Sequence, residues 1–368
     1  MLRLMGRSPT LPRAWSNTER SSKASQSPFT LSVGRKWKTL LTFTLVLASV
    51  VAVFCWRSSQ PPQIPHHPSD PPSYKLYNST DVLPETPFAI VTFLTGQGDN
   101  DAYFMATRVL THQLIHAPAT KSDPVRVSFL VLCSQSTPTE QKDQLRRDGA
   151  HVVELQDVPV NWWIHSGVGR WKEQFTKLRT FEMIEYKRIL FVDADTMIMS
   201  PLDGIFEEPE VESTTPTLTE ARKNQIRRDE GPLPAEWFFA ARSDNGYTGQ
   251  RQHPTPPLQT TQFSAGFFMV APDRILYNHL LGVMSHFRRF NPFTMEQSLL
   301  NYVFRREGAM PWRELHWKWS ATWVNEKDAD MGVKSLHEKL WDKGPQALKD
   351  IWYKKKGEML NYYEHADR

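Results

Sequence analysis

Arg188 to Ile198 reads RILFVDADTMI, and this stretch decides the fold. Ile189, Leu190, Phe191 and Val192 form an apolar run with no polar face. A strand buried on both faces needs such a run, and strands of that kind belong to parallel sheets covered by helices. The run stops at Asp193 and Asp195, with Ala194 between them. Ligands of open parallel sheets collect at the carboxyl ends of the strands. In extended chain, residues two apart point the same way. Both carboxylates can therefore converge on one target. Two close carboxylates repel, and one is pushed to protonate unless a cation neutralises the pair. Hard oxygen ligands suit magnesium or manganese, which usually bind a few carboxylates plus substrate phosphates. Solvated acids capping a strand end are the plainer alternative. The tripeptide Asp328-Ala329-Asp330 serves as a control: it follows WVNEK rather than an apolar run, and reads as an exposed loop.

The flanking sequence predicts alternating strands and helices. Strands are expected at 88–94, 125–133, 151–155 and 188–192. Helices are expected at 101–116, 139–148 and 173–186, the last with Phe175, Leu178, Phe181 and Ile184 on one face. Such alternation argues an α/β fold with a mostly parallel central sheet. Residues 213–262 are rich in Thr, Pro, Arg and Gln and read as a weakly structured insertion. Strand character resumes at QFSAGFFMV (262–270), and helices are expected over 272–287 and 294–306.

The N-terminal part has a different texture. Residues 1–38 form a basic tail with the single acid Glu19. Thr39 to Trp56 carries no charge, at the lower end of the roughly 17–25 residues that span a bilayer as a helix. Arg35, Lys36 and Lys38 precede it, so the positive-inside bias predicts a single-pass type II signal-anchor with the bulk of the chain lumenal. A mitochondrial presequence is the rival for the Arg- and Ser-rich start, and Pro9, Pro12 and Pro28 argue against it. Residues 57–87 are proline-dense and read as an extended stem, with an exposed glycosylation sequon at Asn78. The short span suits an early secretory membrane, Golgi or ER. The globular part begins at Phe88 and runs to Arg368.

Composition bounds the rest. The 368 residues are 40% apolar and 12% aromatic, enough for a sizeable core. A formal charge of +4, largely in the tail, gives no case for a nucleic-acid partner. The two cysteines, Cys55 and Cys133, exclude a zinc-thiolate cluster and are not expected to pair.

Two enzyme classes end a strand in this way. Haloacid-dehalogenase-type phosphohydrolases use an apolar strand followed by Asp-x-Asp-x-Thr, which ILFVDADTM fits, but they carry it near the start of their domain. The other class is nucleotide-sugar transferases. Over Phe88 to Tyr363 the chain resembles glycosyltransferase family 8, the glycogenin-like retaining transferases, and most closely its fungal-type members. The segments that carry the resemblance stand in family order: FAIVTFLTGQGDNDAYFMATRVLTHQL (88–114), KLRTFEMIEYKRILFVDADTMIMSPLDGIF (177–206), FSAGFFMVAP (263–272), EQSLLNYVF (296–304) and LHEKLW (336–341).

The resemblance implies a GT-A fold that uses a UDP-sugar and Mn2+ or Mg2+, with a glycan, protein or lipid as acceptor. It implies that Asp193, Asp195 and His337 hold the metal and that Lys177 reaches the donor. It puts Tyr103 on the uracil, Thr95 beside the base, Gly266 and Gln297 at the donor sugar, and Glu296 next to Gln297 as a candidate nucleophile. The chain departs from the family in three places. The loop 96–100 is longer, Ser264 stands where the family has asparagine, and HEKLWDKGP leaves Lys339 and Lys343 as two candidates for the diphosphate lysine. A non-catalytic carbohydrate-binding protein with the same fold is a third reading, and a homodimer is kept as a candidate assembly.

Overall fold

The apolar runs become adjacent strands. The structure is a computed structural model and describes residues 42–51, 74–78, 81–96, 100–165 and 169–366. The chain divides into two units, residues 1–61 and 62–368. Of the first, residues 42–51 are helical and exposed. Residues 39–41 and 52–56 of the expected anchor lie outside the described residues, as do the basic tail, most of the stem and Cys55. Among the described residues no helix is long and apolar enough to cross a membrane.

In the second unit, β1 is Tyr74–Leu76, β2 Phe88–Leu94, β3 Val127–Cys133, β4 His151–Leu155, β5 Arg188–Val192 and β6 Thr196–Ile198. Then come β7 (Thr215–Pro216), β8 (Glu236–Trp237), β9 (Phe239–Ser243), β10 (Phe263–Val270), β11 (Arg313–Glu314), β12 (Ala321–Thr322) and β13 (Ser335–His337). The main helices are α1 (Asn100–Ile115), α2 (Thr139–Arg147), α3 (Arg274–Ser285), α4 (Glu296–Val303) and α5 (Gln346–Ala366). The central sheet runs β1-β4-β3-β2-β5-β10-β9-β11. Its β4-β3-β2-β5 half is parallel throughout, β11 joins β9 in parallel, and β1 and β10 pair antiparallel with their neighbours. The expected mostly parallel sheet is therefore present, with antiparallel pairings around β10.

Every residue of β3, β5 and β10 is buried. Alternate residues serve opposite faces, as a period of two requires. Ile189 and Phe191 pack with Phe175, Leu178 and Phe181 on one side. Leu190 and Val192 pack with Leu110, Leu114 and Phe206 on the other. A small second sheet, β12-β13-β6, packs against α1 and α5 through Met197, Leu336, Ala106, Val109, Trp352 and Met359.

Four expectations change. Tyr74–Leu76, expected in the extended stem, is the edge strand β1 paired with β4, so the folded part begins before Phe88. The helix expected at 173–186 is a 3-10 helix over Gly169–Glu182. Its apolar residues recur every third position, and side chains at i and i+3 eclipse in a three-residue turn. Ile184 lies past its end and is exposed. The segment 213–262 supplies β9, five buried residues inside the central sheet, so it is not wholly an insertion. Finally, Asp328 is not in an exposed loop. It is fully buried in a short helix, Glu326–Asp330, where it completes a capping box with Asn325.

Candidate active site at the end of strand β5

Strand β5 delivers Asp193 to the carboxyl edge of the sheet, where its N–H donates to the Gly266 carbonyl of β10 at 2.9 Å. The chain turns there, with Thr196 N–H donating to the Asp193 carbonyl at 3.0 Å, and leaves as β6 for the second sheet. In that sheet β13 lies antiparallel to β6 with His337 opposite Thr196, and Glu338 N–H donates to the Asp195 carbonyl at 3.1 Å. The pairing sets His337 Nε2 3.0 Å from Asp195 Oδ1 and 3.6 Å from Asp193 Oδ2. The three ligand atoms lie within 4.8 Å of one another.

The set fits a divalent ion. Asp195 Oδ1 and His337 Nδ1 are both buried, and neither has a hydrogen-bond partner. The Nε2–Oδ1 approach is a close ion pair, and Asp193 Oδ2 completes a set of three ligand atoms within reach of one ion. Two carboxylate oxygens suit manganese or magnesium, and the added imidazole nitrogen favours the transition ion, manganese, of the two. Gly266 makes room for this. A Cβ there would overlap His337 Cε1 and stand 2.6 Å from Nδ1 and 2.8 Å from Asp193 Oδ2.

Lys177 projects from the 3-10 helix, buried, with Nζ 2.7 Å from Asp193 Oδ1 and 3.1 Å from Glu296 Oε1. Burial pulls its pKa down, but Asp193 and Glu296 outweigh burial and hold the ammonium above its ordinary range. Burial, aided by Asp193 and opposed by Lys177, lifts Glu296 above the usual carboxylate range. Burial works against charge on Asp195, yet His337, then Lys339 and Lys177, keep it below the usual range. The reciprocal attraction of Asp195, with Asp193 and Asp244, overcomes burial at His337 and raises it to about 9.

A cleft of about 390 Å³ opens over Asp193 and Asp195. Thr95, Tyr103, Lys177, Asp193, Asp195, Glu296, Gln297 and Lys339 all line it. Lys339 Nζ sits 5.5 Å from the centre of the Tyr103 ring, which also meets Trp341 edge-on. Lys343 is exposed and does not line the cleft, so the two lysines left open by sequence separate. Residues 97–99 of the loop after Thr95 lie outside the described residues.

Gln297 is tied down rather than pointing freely into the cleft. Its Oε1 accepts from Ala265 N–H at 3.0 Å and its Nε2 faces Asp244 Oδ2 at 3.4 Å. One turn later Asn301 pairs with both backbone groups of Phe263 at 3.0 Å. These contacts fall where the β9–β10 register breaks, between Phe263 and Phe268. Sequence reading missed three groups here. Asp244 lies inside the supposed insertion. Glu173 accepts from Thr95 and Ser136. Phe293 is exposed on the cleft wall. Only Asp244 had a usable signal, as an acid three residues past the apolar run Trp237–Ala241.

No family model matches the chain. The comparisons place its similarity among glycosyltransferases. In sequence it is 28% identical over 320 residues to an uncharacterized protein of Schizosaccharomyces pombe, covering 78% of this chain and 84% of that one. It is 25% identical over 229 residues to galactinol synthase 4 of Arabidopsis thaliana, covering 59% of this chain and 61% of the plant protein. Among solved structures, mouse xyloside xylosyltransferase 1 aligns with 70% of this chain and 99% of its own, at 14% identity and a TM-score of 0.43.

Proposed function

We propose that this chain is a metal-dependent retaining glycosyltransferase that moves a hexose-type sugar from a UDP-sugar to a hydroxyl of a glycan, protein or lipid. The observation that carries this reading is the convergence of Asp193, Asp195 and His337 beneath a cleft to which Lys177 and Lys339 bring two ammonium groups. The similarity to galactinol synthases supports it.

In this reading the nucleoside end of the donor lies against Tyr103 and Thr95, a flat ring and a hydroxyl at one wall. Lys177 fixes the Asp193 carboxylate and shares its charge with Glu296. Lys339 brings a second ammonium to the cleft, and it takes the diphosphate role. A bound divalent ion would neutralise the charge that builds on the departing diphosphate. The acceptor hydroxyl oxygen forms the new bond to the anomeric carbon. The bond from that carbon to the phosphate oxygen breaks, and the diphosphate leaves with the electron pair and takes up the hydroxyl proton. Glu296 stays a candidate nucleophile; its ion pair with Lys177 equally suits fixing the cleft wall. The phosphohydrolase and carbohydrate-binding alternatives are not favoured. The third member of the triad is an imidazole rather than a further acid, and the cleft is lined with groups of both charges.

Residues 39–56 complete the reading as a type II anchor that holds the catalytic part in the Golgi or ER lumen. The test is UDP release from a panel of UDP-sugars with manganese, with magnesium and with chelator. Metal-dependent release from one sugar, lost in Asp195→Asn, is expected. Loss of such a stabilising charge typically costs on the order of 10²–10³ in rate. Full activity of that variant, or hydrolysis of phosphomonoesters instead, overturns the proposal.

A further inference from the structure

Trp323 is an exposed aromatic residue in an unusual backbone conformation beside the triad. It is 42% exposed, yet its backbone has φ +51°, a left-handed conformation that bulky residues avoid. Such strain persists only where the surroundings over-determine it, and it concentrates at ligand clamps and active sites. The surroundings here do over-determine it. Thr322 lies in β12, registered with His337. Its Oγ1 donates to Asp244 Oδ1 at 3.0 Å and accepts from Asn245 N–H at 2.9 Å. On the other side, the Val324 carbonyl accepts from Arg251 at 3.1 Å. Trp323 is thus held between two pinned neighbours, one of them paired with a member of the triad.

Its ring has a particular setting. The Arg251 guanidinium lies 5.7 Å from the ring centre and bridges to Glu338 at 2.9 Å. The indole nitrogen lies near the Gly246 turn, and Tyr247, 53% exposed, follows in that turn. Neither aromatic lines the donor cleft. An electron-rich ring face attracts the slightly positive C–H face of a sugar. Charged groups at its border suit the hydroxyls around that sugar's edge.

We infer that Trp323, with Tyr247 and the Arg251–Glu338 pair, seats the acceptor, and that the acceptor presents a polyhydroxylated ring. This rests on the transferase reading, because it assigns the second substrate of the same site. A peptide hydroxyl or a lipid alcohol would gain little from a solitary ring face bordered by charges.

The experiment uses the full chain, the UDP-sugar found active in the panel, and three acceptor types: methyl pyranosides and cyclitols, serine peptides, and a long-chain alcohol. Transfer to the ring acceptors is expected. In Trp323→Ala the acceptor KM rises about tenfold more than the donor KM, and Trp323→Phe restores it. Melting separates strain from misfolding: Trp323→Gly, free of the left-handed penalty, melts above Trp323→Ala. An unchanged acceptor KM in Trp323→Ala, an equal rise for donor and acceptor, or transfer to the peptide or alcohol alone overturns this inference while the transferase reading stands. No UDP release from any donor overturns both.

Discussion

Gly266 is the residue on which the geometry of the triad turns. Its missing side chain is the space that His337 occupies. Gly266→Ala is expected to push His337 off Asp195 and to weaken manganese binding about 10–100-fold, the usual cost of disturbing a ligand's support. Calorimetric titration with manganese checks this. Lys177 is the second such residue. Its ammonium is buried between two carboxylates whose side chains are 23% and 9% exposed. Removing one member of a buried ion network costs about 3–5 kcal/mol, because the others keep uncompensated charge. Lys177→Met is therefore expected to lower unfolding stability by about that amount, measured by urea titration. A variant as stable as the wild type would show that Asp193 and Glu296 find their counter-charge elsewhere.

At the scale of elements, α4 works as a backbone surrogate. Gln297 and Asn301 stand one turn apart and supply amide groups to the stretch of β10 that loses its ladder to β9. Asn301→Leu keeps the volume but leaves the buried Phe263 N–H and C=O without their partner, at about 1–3 kcal/mol for each group. Denaturant unfolding of the variant reads this directly. The spacing of EQSLLN was legible in sequence; its purpose was not, because a broken register cannot be seen in one strand alone. The loop at 250–256 is held by a second buried contact, His253 Nε2 to Asp328 Oδ2 at 3.4 Å. Burial opposes charge on His253, but Asp328 and the Pro254 carbonyl overcome it, so its pKa is raised on folding. A raised pKa stabilises fully below the unfolded value, about 6.5, and the benefit is lost as pH rises through the folded value. The stability gap between the wild type and His253→Gln should be widest at acid pH and narrow as pH increases. A gap that does not change with pH would show His253 to be neutral throughout. The misreading of Asp328 as exposed has the same origin: no local pattern marks an acid whose partner lies 75 residues earlier.

For the whole molecule, the proposed arrangement is a lumenal catalytic part carried on residues 39–56. The full chain is expected to resist alkaline-carbonate extraction, and its residues beyond 57 are expected to be shielded from protease in sealed microsomes. Extraction into the soluble fraction, or cleavage of the catalytic part in intact vesicles, would overturn that placement. The second unit itself was largely legible. Each apolar run of β2, β3, β4 and β5 became a strand within two residues of its expected bounds, because a strand buried on both faces leaves a mark that tertiary context does not override. The 3-10 helix was half legible, since its three-residue spacing was visible but reads equally as one face of an α-helix.

By itself, then, the sequence determined the α/β layering, the position of two carboxylates at a strand end, and an uncharged segment ahead of a proline-dense stretch. These are local properties, written in periodicity and in the order of apolar and charged residues. Tertiary structure alone decided that β13 pairs with β6, which brings His337 to carboxylates more than a hundred residues away. It also separated Lys339 from Lys343, drew Asp244 out of a supposed insertion, and forced Trp323 into its left-handed turn. Each of these depends on which strands become neighbours. That choice is made by burial over the whole chain, and no single segment encodes it.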